Sequence, residues 1–474
     1  NLPEFKEDLS YLKVVQDRNA FNKNLINFKS IKCNWEKLDC YELKEKLFSV
    51  MLKEKKFILS CSAPNEYSMP EKEIISVFTQ TKEKNIKTIV CTQRMKGIPY
   101  SFWRKVLERI YNLPDLTEKA LDEVYRFQIA LEDRNNFIRY VINQQELKNS
   151  NPSQVHEEIA KTIFNLVRNQ LNIVFYIKNF ENMDETSKLI FEQFMNNFDS
   201  LPLSWIVELN HPEKLHDIFK PLLVNPRYFE VTMLPMPFSK IIQPYLPKYT
   251  PVMDSFYINR VALCAKGSLS YVDMAFAYLK QKEIFSEEQN SVKPNSQGNV
   301  IIPGTLEDLI KKRITALLDY PETFNVFAVS LLFDDYINKK YLTELFPKYK
   351  IDNILKALYE EGYLFKLAGG YYISGYNQYH KMFFEAVEEE KIVEVAKTML
   401  NSSYVKQDKT LMVKLNEICN NKIDCLNAII DNIDINSSLG DYYALLYSIR
   451  YFLYLIKKYD MDKIEYLFVS GDGA

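Results

Sequence analysis

The sequence predicts an α/β fold on a parallel sheet, followed by a helical segment, a helix-plus-hairpin unit and an all-helical C-terminal region. Three observations predict it. Short apolar runs of strand length alternate with helical patterns over the first half of the chain, as in a parallel sheet covered on both faces. Helical patterns then lead into "YLFKLAGGYYISG" (Tyr363–Gly375), two apolar runs that turn on Gly369-Gly370. Beyond residue 376 only helical spacing recurs.

The elements follow in order. Residues 1–34 are polar and mixed, and read as a connector. Leu43, Leu47 and Met51 have helical spacing within Leu38–Lys53, and "KFILSCS" (Lys56–Ser62) is a buried strand. "MPEKEIISVFTQTKEK" (Met69–Lys84) reads as a helix with Pro70 in its first turn, followed by the strand Ile86–Arg94. Phe102, Val106 and Ile110 share one face of a helix over Tyr100–Leu113. Residues 115–170 read as helical throughout. "LNIVFYIKNF" (Leu171–Phe180) is the next strand. Asp184–Phe198 is a helix whose first acids suit its dipole, and Leu203–Asn210 and Arg227–Leu234 are strands. Helices fill Ser239–Ile284, and Ser286–Asn299 reads as a loop. Helices are expected at about 305–318, 322–332, 339–347 and 351–361, then the hairpin. Helices at 391–400, 409–417, 422–430 and 441–457 are paired like a helical-repeat array, without a sharp period.

Composition narrows the function. The 474 residues carry a net charge of −2, so no global basic field invites nucleic acid or an anionic membrane surface. No apolar run has membrane-spanning length. Seven scattered Cys without a CxxC pair argue for reduced thiols and a cytoplasmic compartment, and four His offer little for a zinc site or a His-based triad. No metal or cofactor is expected. Only eleven Gly occur, about a third of the usual roughly 7%. The chain opens on Asn1 and ends on Gly471-Asp472-Gly473-Ala474, and the expectation is a piece of a longer chain with a neighbouring domain.

With Pro99, Tyr100 and Trp103 after the second strand, Asp184, Glu185 and Ser187 after the third, Pro212 and Glu213 after the fourth, then Gly267, Arg313 and His380, several segments, in this order, resemble the STAND class of P-loop NTPases, in particular the multidomain ATPase module found beside bacterial cyclases, protein kinases and MalT-like regulators. "IVCTQRMKGIPYSFWRKVLERI" is similar to the family's second strand and its Pro-Tyr-aromatic helix, with Pro99, Tyr100 and Trp103 in place. "IVFYIKNFENMDETSKLIFEQF" is similar to the metal-binding strand and the helix start after it, at Asp184, Glu185 and Ser187. "LSWIVELNHPEKL" resembles the next strand with its Pro-Glu ending, at Pro212 and Glu213. "MLPMPFS" (Met233–Ser239) resembles the beginning of the lid. "AKGSLSYVDMAFAYL" resembles the lid's Gly-Asn-Pro helix start, with Gly267 kept and Ser268 and Leu269 in place of Asn and Pro. "IPGTLEDLIKKRITALLDY" resembles the helix before the winged domain, with Pro303, Leu306 and Arg313 in place, and "YHKMFFEAV" resembles the closing helix, with His380 kept. The resemblance covers about 35–400. It implies a P-loop NTPase-like α/β domain at 35–235, a helical lid at 236–300, a winged helix at 301–376 and a helical, repeat-like region at 377–474.

The resemblance stops at the chemistry. A phosphate loop needs GxxxxGK[ST]: glycines let backbone N–H groups converge on phosphate, Lys neutralises charge, and the hydroxyl holds Mg2+. The matching stretch, "SCSAPNEYSMPEKE" (Ser60–Glu73), contains no Gly and no Lys before Lys72. At the loop positions Ser60, Cys61, Pro64, Glu66, Tyr67 and Ser68, Pro64 removes a donor and Glu66 repels phosphate. Ser68 alone could fill the hydroxyl place. The metal strand ends in Lys178 and Asn179 where the family has acids, and an ammonium there repels Mg2+. Asn210 stands at the sensor place. Glu181, Asp184 and Glu185 lie beyond the strand, and the expectation for them is a solvated helix start.

In the winged unit, "KIDNILKALYEEGYL" (Lys350–Leu364) sets Lys350 and Lys356 against Asp352, Glu360 and Glu361, too acidic for a DNA groove. Lys311-Lys312-Arg313 and Glu388–Glu390 read as solvated helix faces, and the aromatics of Tyr442–Tyr459 as core or as a partner surface. The expected function is a catalytically inactive STAND-like pseudo-ATPase. It would act as a protein-interaction, scaffolding or regulatory module in a larger assembly, with no cofactor. The alternatives are an ATP-dependent signalling switch with non-standard nucleotide contacts and a DNA-binding transcription regulator.

Overall fold

A computed structural model describes residues 36–54, 56–62, 77–78, 85–113, 116–125, 137–142, 152–168, 170, 172–201, 203–210, 217–249, 255–288, 291–294, 300–367, 370–374, 378–438 and 442–459. The helix expected at Met69–Lys84 lies outside these residues except for Val77 and Phe78.

The first half of the chain forms a six-stranded sheet. In chain order it holds β1 (Glu36–Leu38), α1 (Cys40–Lys53), β2 (Ile58–Ser62), β3 (Asn85–Val90), α2 (Ser101–Ile110) and α3 (Glu118–Tyr125). Then come α4 (Pro152–Arg168), β4 (Ile173–Lys178), α5 (Glu185–Asn196), β5 (Ser204–Leu209) and β6 (Tyr228–Met233). The strand order is β1-β6-β2-β5-β4-β3. Strands β2 through β6 run parallel, with Cys61 opposite Glu208 and Val231, and Val90 opposite Lys178. All five residues of β2 are buried, as are all six of β5, because helices cover both faces. Strand β1, three residues long, carries no period that sequence could reveal.

The two faces have different cores. On one, Trp205 stacks on Phe175 at 4.9 Å and meets Phe191 and Trp103 edge-on. Trp103, the aromatic of the Pro-Tyr-aromatic segment, is fully buried there and donates its indole N–H to Ser187 O at 3.1 Å. On the other face, Leu59, Cys61, Tyr176 and Ile206 join Leu43, Leu47 and Met51 of α1 in one apolar cluster. Helix α1 begins with a reciprocal cap. Asp39 accepts the Tyr41 and Glu42 N–H groups, and Glu42 accepts from Asp39 N–H.

Helices α6 (Phe238–Ile241), α7 (Leu246–Tyr249), α8 (Ser255–Ala265) and α9 (Leu269–Gln281) follow the sheet. Gly267, at φ +91°, sits where an added Cβ would lie 2.4 Å from Pro235 Cβ and 2.8 Å from Met236 N. Ser268, in the place of the family's Asn, still caps α9 by accepting from Tyr271 N–H. Part of the expected loop at Ser286–Asn299 is ordered otherwise. Phe285–Glu288 (β7) and Ser291–Pro294 (β8) pair as an antiparallel ribbon. A polar stretch can satisfy its backbone this way without an apolar signature.

Helices α10 (Leu306–Leu317), α11 (Pro321–Phe333), α12 (Lys339–Leu345) and α13 (Ile351–Glu360) match the expected positions closely. Between α11 and α12 lies the two-residue strand β9 (Ile337–Asn338). The hairpin is β10 (Leu364–Lys366) and β11 (Tyr371–Ser374), with Gly370 at φ +77°, and β9 pairs with β11 to make a three-stranded antiparallel sheet. Then come α14 (Gln378–Ala386), α15 (Glu389–Leu400), α16 (Ser403–Lys406), α17 (Lys409–Ile418), α18 (Lys422–Ser438) and α19 (Tyr442–Lys458). Lys311 of the basic run is paired with Glu385 at 2.6 Å, whereas Arg313 is buried rather than solvated. Its guanidinium donates to the Tyr379 hydroxyl at 3.2 Å and to the Glu361 carbonyl, and lies 4.3 Å from the Tyr363 ring centroid. Among the described residues no helix is long and apolar enough to cross a membrane, and six cysteines carry free thiols.

Candidate functional site

Strand β2 lies between β5 and β6, while the next strand in the chain, β3, lies at the far edge beyond β5 and β4. The chain therefore leaves β2 in one direction and later returns past it to β6. Such a reversal opens a crevice at the carboxyl ends of the strands, where ligands of parallel sheets bind. A parallel sheet with this strand order, covered by helices, fits the P-loop-type α/β domain that the sequence resembles.

The crevice is edged by the ends of β2, β4 and β5. Ser60 is buried in β2 and bonded through its hydroxyl to the Tyr228 hydroxyl at 2.8 Å. Cys61 is buried beside it, and burial, with Glu208 and Cys40 nearby, pushes its thiol well above the ordinary range. Neither is free to meet a phosphate. Pro64, Glu66, Tyr67 and Ser68 lie outside the described residues, as do Lys72, Pro212 and Glu213.

Lys178 is the last residue of β4, one strand removed from β2. It shares a face with Tyr176, and its ammonium lies 5.8 Å from that ring's centroid. The Tyr176 hydroxyl donates to the Glu208 carboxylate at 2.5 Å. Glu208 is 4% exposed in the penultimate position of β5. A tyrosine, a buried carboxylate and a lysine thus occupy neighbouring strand ends. Sequence reasoning missed Glu208 and Tyr176. The available signal was an acid inside the apolar run "LSWIVELN".

Asn179 follows Lys178 at φ +55° and is buried, turning the chain into the short 3-10 helix Phe180–Asn182. Asn210, just after β5, donates its backbone N–H to the Glu181 carboxylate. Glu181 therefore clamps the end of β5 to the turn after β4.

The acids after β4 correct the expectation of a solvated helix start. Asp184 is 3% exposed and accepts four hydrogen bonds: from Ser187 N–H at 2.8 Å, Tyr100 N–H at 3.0 Å, Ser101 Oγ at 2.9 Å and Phe102 N–H at 3.3 Å. One carboxylate caps α5 and α2 together. Burial pushes it up to about 6, while the hydrogen bonds from Ser187, Ser101 and Phe102 pull it down. Only Glu185 is solvated, paired with Lys188 at 2.6 Å. The Asp-Glu-x-Ser and Pro-Tyr-aromatic segments are physically one joint, with Tyr100 held at φ +59°. Gly267 stands between α8 and α9, and its carbonyl accepts Met236 N–H at 2.9 Å.

No protein-family model and no curated protein matches the chain. Among solved structures it is similar to a Signal Transduction ATPase with Numerous Domains (STAND) protein with a tetratricopeptide repeat sensor from Pyrococcus horikoshii. That match has 9% identity and a TM-score of 0.40 over 88% of this chain and 64% of that one. The chain thus spans under two thirds of that relative's length. It is also similar to the Thermotoga maritima RuvB Holliday junction branch migration motor, at 10% identity and a TM-score of 0.28 over 73% of this chain and 95% of that one. The Aeropyrum pernix ORC1 protein, solved in complex with DNA, matches at 11% identity and a TM-score of 0.32 over 78% and 92%.

Proposed function

We propose that this chain is a catalytically inactive P-loop ATPase-type module of STAND character that works through protein contacts in a larger assembly. The observation that supports this most is Lys178. It puts an ammonium at the strand end where Mg2+ catalysis needs an acid, on the face it shares with Tyr176. The loop after β2 supports the same reading, because "SCSAPNEYS" offers neither the glycines nor the lysine of a phosphate cradle. Glu181, the nearest substitute for a lost metal acid, is held by Asn210 N–H. In this reading 236–300 is a helical lid, 301–376 a winged helix and 377–474 a helical interaction region. Helix α13, the candidate groove helix, exposes Asp352 and Glu360, which favours protein over DNA. Helix α19 exposes Tyr442, Tyr443, Leu446 and Tyr454, a surface suited to a protein partner.

The test is a melting curve of the purified chain with and without millimolar ATP–Mg. An unchanged Tm is the expected result. A rise of several degrees sinks the inactive-module reading, because any ligand that binds the folded state must stabilise it.

A further inference from the structure

Helix α19 is apolar on two opposite faces. By the inner one it packs on α18: Ala444, Ser448 and Leu455 are buried, and Leu455 joins Cys425, Leu426 and Ile429 in one cluster. The Ser448 hydroxyl there accepts the Asn432 and Asn436 amide N–H groups. On the outer face Leu446 and Leu453 are 44% and 58% exposed. A helix with one covered face normally turns charged residues outward, so a second apolar stripe calls for a second cover.

The outer stripe has a seven-residue register. With Leu446 and Leu453 at the a positions of a heptad, the half-buried Ile449 and Ile456 fall at d, and the exposed Arg450 and Lys457 fall at e. These are the parts of a seam that meets another helix: an apolar a/d line with a charged border beside it.

The border has one sign. Tyr442–Lys458 contains no Asp or Glu. Lys458, on the flank, is paired with Glu417 at 2.7 Å. Arg450 and Lys457 have no carboxylate partner among the described residues. A second copy of α19 laid on this face would bring no carboxylate to either of them. An anionic bilayer needs no seven-residue register, and Arg450 and Lys457 alone would hold the helix to it weakly.

We propose that α19 docks an amphipathic α-helix of a partner protein, apolar at its own a and d positions and bordered by Glu or Asp. This rests on the reading that the chain works through protein contacts, and it names the partner's chemistry. The partner's apolar residues cover Leu446, Ile449, Leu453 and Ile456, and its carboxylates pair with Arg450 and Lys457. The seam is only about 25 Å long, which suits a transient complex rather than a permanent one.

The experiment is fluorescence anisotropy of a labelled peptide of about three heptads, Leu at a and d and Glu at e and g, titrated with the full chain. The same peptide with Lys at e and g is the control. The acidic peptide should bind saturably at micromolar concentration, and the basic one should not. In the surface variant Arg450→Glu/Lys457→Glu the preference should reverse, the acidic peptide weakening by about tenfold or more and the basic one gaining. A misfolded variant would lose both peptides, so the reversal separates docking from damage. The proposal is overturned if neither peptide binds, if both bind alike, or if the preference survives the charge reversal. It is also overturned if the chain sediments with phosphatidylcholine–phosphatidylserine vesicles, or dimerises by light scattering, and Leu453→Asp abolishes that behaviour. The face would then belong to a membrane or to a second copy. None of these outcomes depends on ATP–Mg, so failure here leaves the melting test of the inactive-module reading standing, and the converse holds.

Discussion

Asp184 is bonded by backbone and hydroxyl groups of two helices that begin more than eighty positions apart in the chain. Three of its four donors are backbone N–H groups, and they accept no substitute for an oxygen. Asp184→Asn keeps the shape but turns an N–H2 toward two of those donors. The expected cost is about 3 kcal/mol, from lost charged hydrogen bonds and newly unsatisfied buried donors. This should appear as a drop of several degrees in Tm at pH 7.5, with Glu185→Gln as the nearly silent control because Glu185 is exposed. The sequence placed Asp184 at a helix start, which is right, but read it as a solvated acid suited to the dipole rather than as the cap it is. Its burial was not legible, because the partners Tyr100 and Ser101 are brought by tertiary packing that no local pattern encodes. Lys178 was legible in identity and strand position, whereas its neighbour Glu208 was hidden by the apolar residues on either side.

Elements were most legible where their period was long. Helices α10 to α13 and the hairpin β10–β11 lie where spacing and the Gly-Gly turn put them. Strands β1 and β9 are two or three residues long and exist only because a longer neighbour pairs with them. The β7–β8 ribbon carries no apolar signal. Gly267, between α8 and α9, packs against Pro235 and Met236 just after β6, and it survives in a chain that keeps few glycines for a steric reason. Its positive φ and the 2.4 Å approach to Pro235 leave no room for a Cβ. Gly267→Ala should therefore destabilise by about 3 kcal/mol or more. Gly304→Ala, where an added Cβ meets nothing within 4 Å, should change Tm by less than a degree or so. Equal effects at the two sites, read by differential scanning fluorimetry, would remove the packing argument.

At the scale of the whole molecule, a half-buried polar joint fastens the sheet, the hairpin unit and the helical tail. Asp334, at φ +52° after α11, faces His380 of α14 at 3.6 Å and Lys414 of α17 at 3.3 Å. Burial lowers the His380 pKa to about 4 from the ordinary 6.5, with Asp334 raising it and Lys414 lowering it further. As pH falls from 6.5 toward 4 the unfolded chain takes up the proton first, so stability falls over that window. Asp184, raised to about 6, works the opposite way over the same range, so the readout is a difference: between pH 7 and 5 the Tm of His380→Gln should fall less, or rise more, than that of the native chain. Arg94, after β3, carries the other half of the joint: it pairs with Asp408, its side chain is 8% exposed, and Phe333 lies 4.8 Å from its guanidinium. Removing one partner of a buried pair leaves a lone charge, which costs about 3–5 kcal/mol. Arg94→Met should thus lower Tm and open the tail to limited proteolysis, with little dependence on salt because the pair is shielded from it. Asp408 also caps α17 through Leu411 N–H, a bond that Asn can keep. The double variant Arg94→Met/Asp408→Asn removes both charges of that pair and preserves the cap, leaving only Asp335, 3.7 Å from Arg94, without its cation, so it should recover part of the loss. A double variant no more stable than Arg94→Met would show that the tail is held by packing alone, and the charged joint would have no role in fastening it.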